Sequence, residues 1–284
     1  MTALYRFRLL SLLPLFFLAL PALAATGDWA EGEHARMRLV AARPASGAPL
    51  EAAIELELDP GWKTYWRAPG DAGIPPRLDF GASENAGDAT VDYPAPERSD
   101  DGVSASNVYH DRVVLPVRFA TSDPARPTQL ALVADLGVCK DICLPVSLSA
   151  SLVVPAEDDD PDAAAAIAAA KAALPGPGQA GVFEIESVRQ TGGSDKVPEY
   201  EVGVATTAPA DSLLFVETPS DWYAAAPVLT AAGKGVATYR FSVDRKTAAG
   251  PLAGATIRLT LKAGNAATTR AFRLNASGEA VADP

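Results

Sequence analysis

The sequence predicts an all-β protein built as two β-sandwiches with an alanine-rich helix between them. Three observations carry this. Short runs of alternating apolar and polar residues, divided by clusters of Pro, Gly, Asp and Ser, fill roughly residues 30–155. A stretch of quite different composition, "EDDDPDAAAAIAAAKAALPGPG", interrupts them. Alternating runs then resume at Val182 and continue toward the end of the chain.

The chain begins with Arg6 and Arg8, an apolar run from Leu9 to Leu20 and a small-x-small site at Ala22 to Ala24. Residues 1–24 therefore read as a cleaved secretory signal peptide, their apolar run being short for a bilayer span. No later run reaches membrane-spanning length, so the expected product is an exported, soluble protein. Removing residues 1–24 leaves 260 of the 284 residues, enough for two domains of about 100 residues each. The formal net charge of −11 becomes about −13 once Arg6 and Arg8 are gone. That balance disfavours nucleic acid and anionic membranes as partners. It gives no sign of an oligomer, and a monomer is expected. No nucleotide fingerprint, phosphate-binding glycine loop or Ser-His-Asp arrangement is present, and no cofactor is expected.

The first unit, residues 25–155, contains "PLEAAIELELD", in which Leu50, Ala52, Ile54, Leu56 and Leu58 share one face. Further short runs follow at "TYWRA", "ATVDYPA", "VVLPVRFA", "TQLALVADLGVC" and "ICLPVSLSASLVV". "APGDAGIPPRLDF", with three prolines and two glycines, cannot be helical. Residues 156–181 form the linker. Asp160 can cap a helix, Pro161 suits its first position, Asp162 its positive end, and Pro175 with Gly176 stops it. With only Ile167 and Leu174 as large apolar residues, this helix is expected to bury little. The second unit, residues 182–284, has strand runs such as "VFEIESVRQ", "SLLFVETP" and "ATIRLTLKAG". It contains no Cys or His, and is read as an accessory or docking domain.

Chemistry concentrates on the only two cysteines, Cys139 and Cys143, in "VCKDICLP". Leu130, Leu132, Ala134, Leu136 and Val138 share one parity before the pair. Ile142, Leu144, Val146, Leu148, Ala150, Leu152 and Val154 share one after it. Cys139 and Cys143 fall on the opposite parity, so both thiols leave the core side together. A three-residue loop would set them directly opposite, with Cα atoms about 4.5–5.5 Å apart, within disulfide range. "KDI" lacks the glycine that such a loop favours, which leaves room for a register shift.

Three uses of the pair are open at this point. A structural staple, in a non-catalytic interaction module, closes so short a loop that it contributes only about 2 kcal/mol, against about 4.7 for a hundred-residue loop. A copper(I) site could combine Cys139 and Cys143 with His110, giving a copper-binding or delivery module. A redox pair would exchange with partner thiols, Lys140 favouring the thiolate and Asp141 opposing it. Asp100 and Asp101 are candidates for tuning a thiol pKa or accepting a proton. Trp62, Tyr65 and Trp66 are candidates for packing or partner docking, as are Tyr109 and His110, which lie on opposite faces of one strand.

"NVYHDRVVLPVRF", Asn107 to Phe119, followed by a cysteine hairpin running into "CLPV", resembles the N-terminal periplasmic domain of DsbD-type thiol:disulfide interchange proteins. "GWKTYWRAPGDAGIPPRLDF", Gly61 to Phe80, is similar to the branch that includes suppressor-of-copper-sensitivity protein B, which links the family to copper tolerance. The resemblance covers residues 30–155. It implies immunoglobulin-like sandwiches, with Cys139 and Cys143 as the redox pair. It implies a protein-disulfide reductase role in the periplasm, with electrons taken from a membrane-embedded thiol transporter of the DsbD/CcdA type and passed to thioredoxin-fold partners. By the family's pattern Cys143 is the sulfur attacked and Cys139 its resolving partner. The family's cap loop would fall at "SDDGVSAS", where Gly102 and Val103 stand in place of aromatics. Shielding is then looser, or comes from Trp62, Tyr65 or Trp66. The cysteines are also separated by three residues rather than five. Members continue into membrane and thioredoxin-like domains that this sequence does not contain, so the donor is expected on another chain.

Overall fold

The computed structural model describes residues 26–43, 48–120, 123–156, 160–275 and 279–282. The expected signal peptide lies outside them. The first unit contains β1 (Ala30–Glu31), β2 (Ala35–Ala42), β3 (Leu50–Leu58), β4 (Lys63–Gly70), β5 (Arg77–Asp79) and β6 (Ala89–Val91). It continues with β7 (Glu97–Asp100), β8 (Ala105–His110), β9 (Arg112–Phe119), β10 (Thr128–Cys139) and β11 (Cys143–Val154). Helix α1 (Pro161–Ala172) follows. The second unit holds β12 (Glu184–Ser194), β13 (Val197–Ala205), β14 (Leu213–Glu217), β15 (Tyr223–Ala224) and β16 (Val228–Gly233). It ends with β17 (Val236–Asp244), β18 (Thr256–Ala263), β19 (Ala266–Leu274) and β20 (Ala280–Ala282).

Each unit is an antiparallel, immunoglobulin-like sandwich of two sheets. In the first, one sheet runs β1-β2-β3-β9-β6 and the other β11-β10-β4-β8-β7, with β5 added on β10. The alternating apolar parity read from the sequence is what fills the space between them. Met37, Leu39, Ile54, Leu115, Phe119, Leu130 and Leu132 are all buried there. In the second, β12-β13-β17-β15, with β16 also on β17, faces β14-β18-β19-β20. Its core includes Tyr200, Tyr239, Phe241, Leu259 and Leu261.

The helix forms where its caps predict. Asp160 Oδ1 accepts from the Asp162 and Ala163 amides, with Pro161 in the first turn. It does not hang free, however. Ala163, Ile167 and Ala170 are buried, Ala163 packing against Val40 on the outer face of the first sandwich. Lys171 Nζ donates to Glu51 Oε1 at 2.6 Å. Alanine is the reason: without bulk, a helix can lie close on a sheet face, and its one Ile suffices to key it.

The two sandwiches share a buried seam. Along β14, Leu214 and Val216 point into the second core, so Phe215 between them points out. It is fully buried, inside the first sandwich's core cluster, with its ring edge-on to Trp66 at 5.9 Å. Around it, Arg67 donates from Nε and Nη2 to the Glu217 carboxylate at 2.6 and 3.0 Å. Arg98 Nη2 donates to the Leu214 carbonyl at 2.9 Å and stands 5.1 Å from the Phe215 ring centre. Desolvation pulls the Arg67 pKa down, but the hydrogen bond and charge of Glu217 outweigh it, and the group stays charged.

Phe215→Ala should therefore lower the unfolding free energy by about 3–5 kcal/mol, and should split one calorimetric transition into two as the sandwiches uncouple. A variant that melts in a single step at the wild-type temperature would show that the seam carries no stability.

Candidate functional site

The cysteine hairpin forms in the register that strand parity predicts. β10 and β11 pair residue for residue from Thr128↔Val154 to Cys139↔Cys143. Lys140, Asp141 and Ile142 make the three-residue loop, closed by the Lys140 amide donating to the Ile142 carbonyl at 3.0 Å. The missing glycine causes no shift. Ile142, assigned by parity to the core face, sits in this loop instead and is 64% exposed. The core series begins two residues later, with Leu144 partly buried and Val146 buried. The cysteines are joined as a disulfide, Cα to Cα 4.1 Å.

The two sulfurs live in different surroundings. β11 is the edge of its sheet, while β10 is flanked by β11 and β4. Cys143 is accordingly exposed, and Cys139 is only 1% exposed. Parity placed Cys139 off the main core, and there it is, yet it is still covered. It forms a small cluster of its own with Tyr65 and Val108. Tyr65 lies beside Gly137 on the same outer face and its hydroxyl reaches both sulfurs, 3.2 Å from Cys139 Sγ and 3.4 Å from Cys143 Sγ. Disulfide sulfurs carry no hydrogen, so the phenol is the donor. Burial raises the Tyr65 pKa, which keeps that proton in place at neutral pH.

The other candidates distribute as follows. Lys140 and Asp141 are exposed in the hairpin loop, with the Lys140 side chain lying across Gly61. Gly61 has φ 83°, a backbone conformation that favours glycine, and a Cβ there would stand 3.2 Å from Lys140 Nζ. Asp100, Asp101, Gly102 and Val103 form the tip of the β7–β8 hairpin. Asp100 Oδ1 accepts from the Gly102 amide, and Asp101 Oδ1 from the Val103 and Ser104 amides. The Ser104 and Val103 amides hold the Asp101 carboxyl below its usual pKa. Val103 is 94% exposed. The disulfide is level with Lys63 and, one strand on, His110. The hairpin tip lies beyond Ala105, about 17 Å along β8 from that level at about 3.4 Å per residue. These residues turn back on themselves and make no hydrogen bond to the disulfide or Tyr65.

Trp66 is buried at the seam. Trp62 is half-buried with its ring stacked on His34 at 3.8 Å. Tyr109 is in the core, its hydroxyl donating to the Pro94 carbonyl at 2.6 Å, and burial raises its pKa well above the ordinary value. His110 is half-buried, with Nδ1 3.8 Å from Glu97. It lies two strands from Cys139, about 10 Å at the usual strand spacing. Cys139, Cys143 and His110 therefore do not converge, and among the described residues no group of three or more His, Cys, Asp or Glu is placed to hold a metal ion. Of all the candidates, only Tyr65 joins the cysteines.

Sequence reasoning passed over Gly73, Ile74 and Gly137. The Tyr65 ring is gripped between two glycines: a Cβ on Gly137 would stand 3.1 Å from ring atoms Cδ2 and Cε2, and one on Gly73 2.7 Å from Cδ1. Ile74, 43% exposed, crosses over Gly137. A glycine inside the otherwise apolar strand "ADLGVC" was the signal available, since such a position marks a close approach.

Residues 36–155 match the family described as thiol:disulfide interchange protein DsbD, N-terminal. No curated protein matches the chain. Among solved structures, the N-terminal periplasmic domain of ScsB from Proteus mirabilis is similar with a TM-score of 0.68 at 21% identity, over 87% of this chain and 96% of that one. At that identity the likeness speaks for the fold, and its extent takes in both sandwiches. The cysteine hairpin and Tyr65 fall within the matched residues, so the disulfide lies in the part of the chain that matches the DsbD N-terminal family of thiol:disulfide interchange domains.

Proposed function

We propose that this chain is a periplasmic electron carrier that accepts reducing equivalents from a membrane-embedded thiol transporter of the DsbD/CcdA type and hands them to thioredoxin-fold partners. The observation that carries this is the asymmetry of the pair, an exposed Cys143 bonded to a buried Cys139 under a phenol hydroxyl. A staple has no use for one reachable sulfur.

The chemistry follows from which sulfur is reachable. A donor thiolate attacks Cys143 Sγ, the bond to Cys139 breaks, and its electron pair leaves on Cys139 Sγ. A second donor thiol then displaces Cys143. The donor pair is oxidised to a disulfide and this pair gains two electrons and two protons. In the onward transfer the Cys143 thiolate attacks the partner's disulfide, and Cys139 resolves the mixed disulfide. Tyr65 donates its hydrogen bond to the sulfur on which charge collects, doing what a helix N-terminus does for thioredoxin-type cysteines. Ile142, next to Cys143 in the chain, and Ile74, over Gly137, are exposed apolar residues on which a partner can close.

Two outcomes are expected. Expressed in the periplasm, the Cys139→Ser variant should accumulate mixed disulfides through Cys143 with thioredoxin-fold or membrane thiol partners, while Cys143→Ser should trap little because Cys139 is covered. Equal trapping by both, or by neither, would refute the assignment. Tyr65→Phe should slow reduction of the disulfide by about 10-fold, the worth of one hydrogen bond to a developing charge, and should raise the pKa of the Cys139 thiol, read by ultraviolet thiolate absorbance against pH.

A further inference from the structure

We propose that the second sandwich is part of the redox site. Tyr223, through Asp71, holds the loop that keeps Tyr65 against the disulfide, and so acts as a positioning residue for exchange at Cys139. This rests on the reading of Cys139 and Cys143 as an exchanging pair.

Tyr65 has to aim one hydroxyl at two sulfurs from the outer face of a sheet, where the main core does not hold it. The glycine slot does so instead. One wall is Gly137, on a strand paired along its whole length with β11. The other wall is Gly73, with Ile74 crossing above, and both belong to the irregular stretch between β4 and β5. That wall is only as fixed as its anchors.

The anchors gather at Gly70 and Asp71. Gly70 has φ 84°, and a Cβ there would lie 2.5 Å from the Ala105 carbonyl oxygen, so the chain passes hard against β8. The Asp71 amide donates to the Ala105 carbonyl at 2.9 Å, and Asp71 Oδ2 accepts from the Ala105 amide at 2.9 Å. The remaining carboxylate oxygen, Oδ1, accepts from the Tyr223 hydroxyl, which belongs to the second sandwich.

Tyr223, 43% exposed, is held through its backbone: in β15 it pairs with Asp244 of β17, and it follows Trp222, which is buried under the Arg245 guanidinium at 4.5 Å. Desolvation and then the Asp71 carboxylate raise its pKa, so it remains a donor. A line of contact thus runs from Tyr223 to Asp71, along two residues of loop to Gly73, and on to the Tyr65 ring and both sulfurs. The second sandwich needs no reactive side chain of its own to matter for the chemistry. It supplies the far end of the clamp.

The test uses the full mature chain and dithiothreitol, a small dithiol that needs no docking surface. Tyr223→Phe keeps the ring and removes the hydroxyl. Its disulfide should be reduced about 3- to 10-fold more slowly, the factor that corresponds to one ordinary hydrogen bond. The lower thiol pKa of its reduced form should move up, as in Tyr65→Phe. Asp71→Asn, which leaves one side-chain acceptor for two donors, the Tyr223 hydroxyl and the Ala105 amide, should slow reduction at least as much as Tyr223→Phe does. The double variant Tyr65→Phe/Tyr223→Phe should be no slower than Tyr65→Phe alone, because the two act through one contact. A wild-type rate and thiol titration in Tyr223→Phe, or additive losses in the double variant, would overturn the proposal while leaving the exchange reading intact. A wild-type disulfide that resists dithiothreitol would instead sink the exchange reading, and this proposal with it.

Discussion

Everything at this site depends on the register of β10 against β11, because side chains on a strand alternate with period two and a slip of one residue would turn the slipped strand's cysteine into the core, away from its partner. The register is over-determined. On one side of the hairpin five apolar side chains of β10, Leu130 to Val138, commit that strand to the sandwich interior, and Val146 to Val154 do the same for β11. With both faces committed, Cys139 and Cys143 have no choice but to meet across the last pair before the turn. The turn sequence has little say, which is why "KDI" closes the loop without the glycine that such a loop favours.

A second consequence of the same geometry is chemical. Edge and interior strands differ in how much neighbouring chain covers them, and this hairpin puts one sulfur on each. The difference in exposure between Cys143 and Cys139 thus begins with strand order, and Tyr65 and Val108 complete it by covering the interior sulfur. What strand order cannot provide is stabilisation of the departing thiolate, since among the described residues no helix terminus points at this pair. In the proposed exchange that role falls to a single phenol, and a phenol is useful only if it is held still. The two close glycine contacts on the Tyr65 ring cost side-chain packing at Gly73 and Gly137, and they make sense as the means of holding it.

Much of the fold could be read from the sequence because period-two alternation and punctuation by Pro and Gly are local signals. The caps of α1 at Asp160 and Pro161 were local too. The docking of α1 was not, since an alanine helix looks unattached until the flat sheet face around Val40 is seen. At the site, parity found the disulfide and its face, but not the burial of Cys139, which comes from Tyr65 some 74 positions away in sequence. The cap residues Asp100 to Val103 were placed by resemblance, and here the hairpin they form extends away along β8. Tyr65 was named among three aromatics with nothing to separate it from Trp62 and Trp66. Only the strand pairing does so: Tyr65 is level with Gly137, and Trp66 faces the opposite way into the seam.

That last alternation also bears on why a second sandwich is present. Adjacent residues of β4, Tyr65 and Trp66, point to opposite faces, one toward the disulfide and one toward Phe215 of β14. Arg67, next in line, reaches Glu217. Four residues beyond it, Asp71 reaches Tyr223. A segment of the first sandwich that carries the phenol of the redox site is therefore gripped at three successive points by the second. A rigid-body shift of the second sandwich could not leave β4 and its loop undisturbed. The second sandwich thus bears on the position of Tyr65 without a side chain of its own in contact with either sulfur.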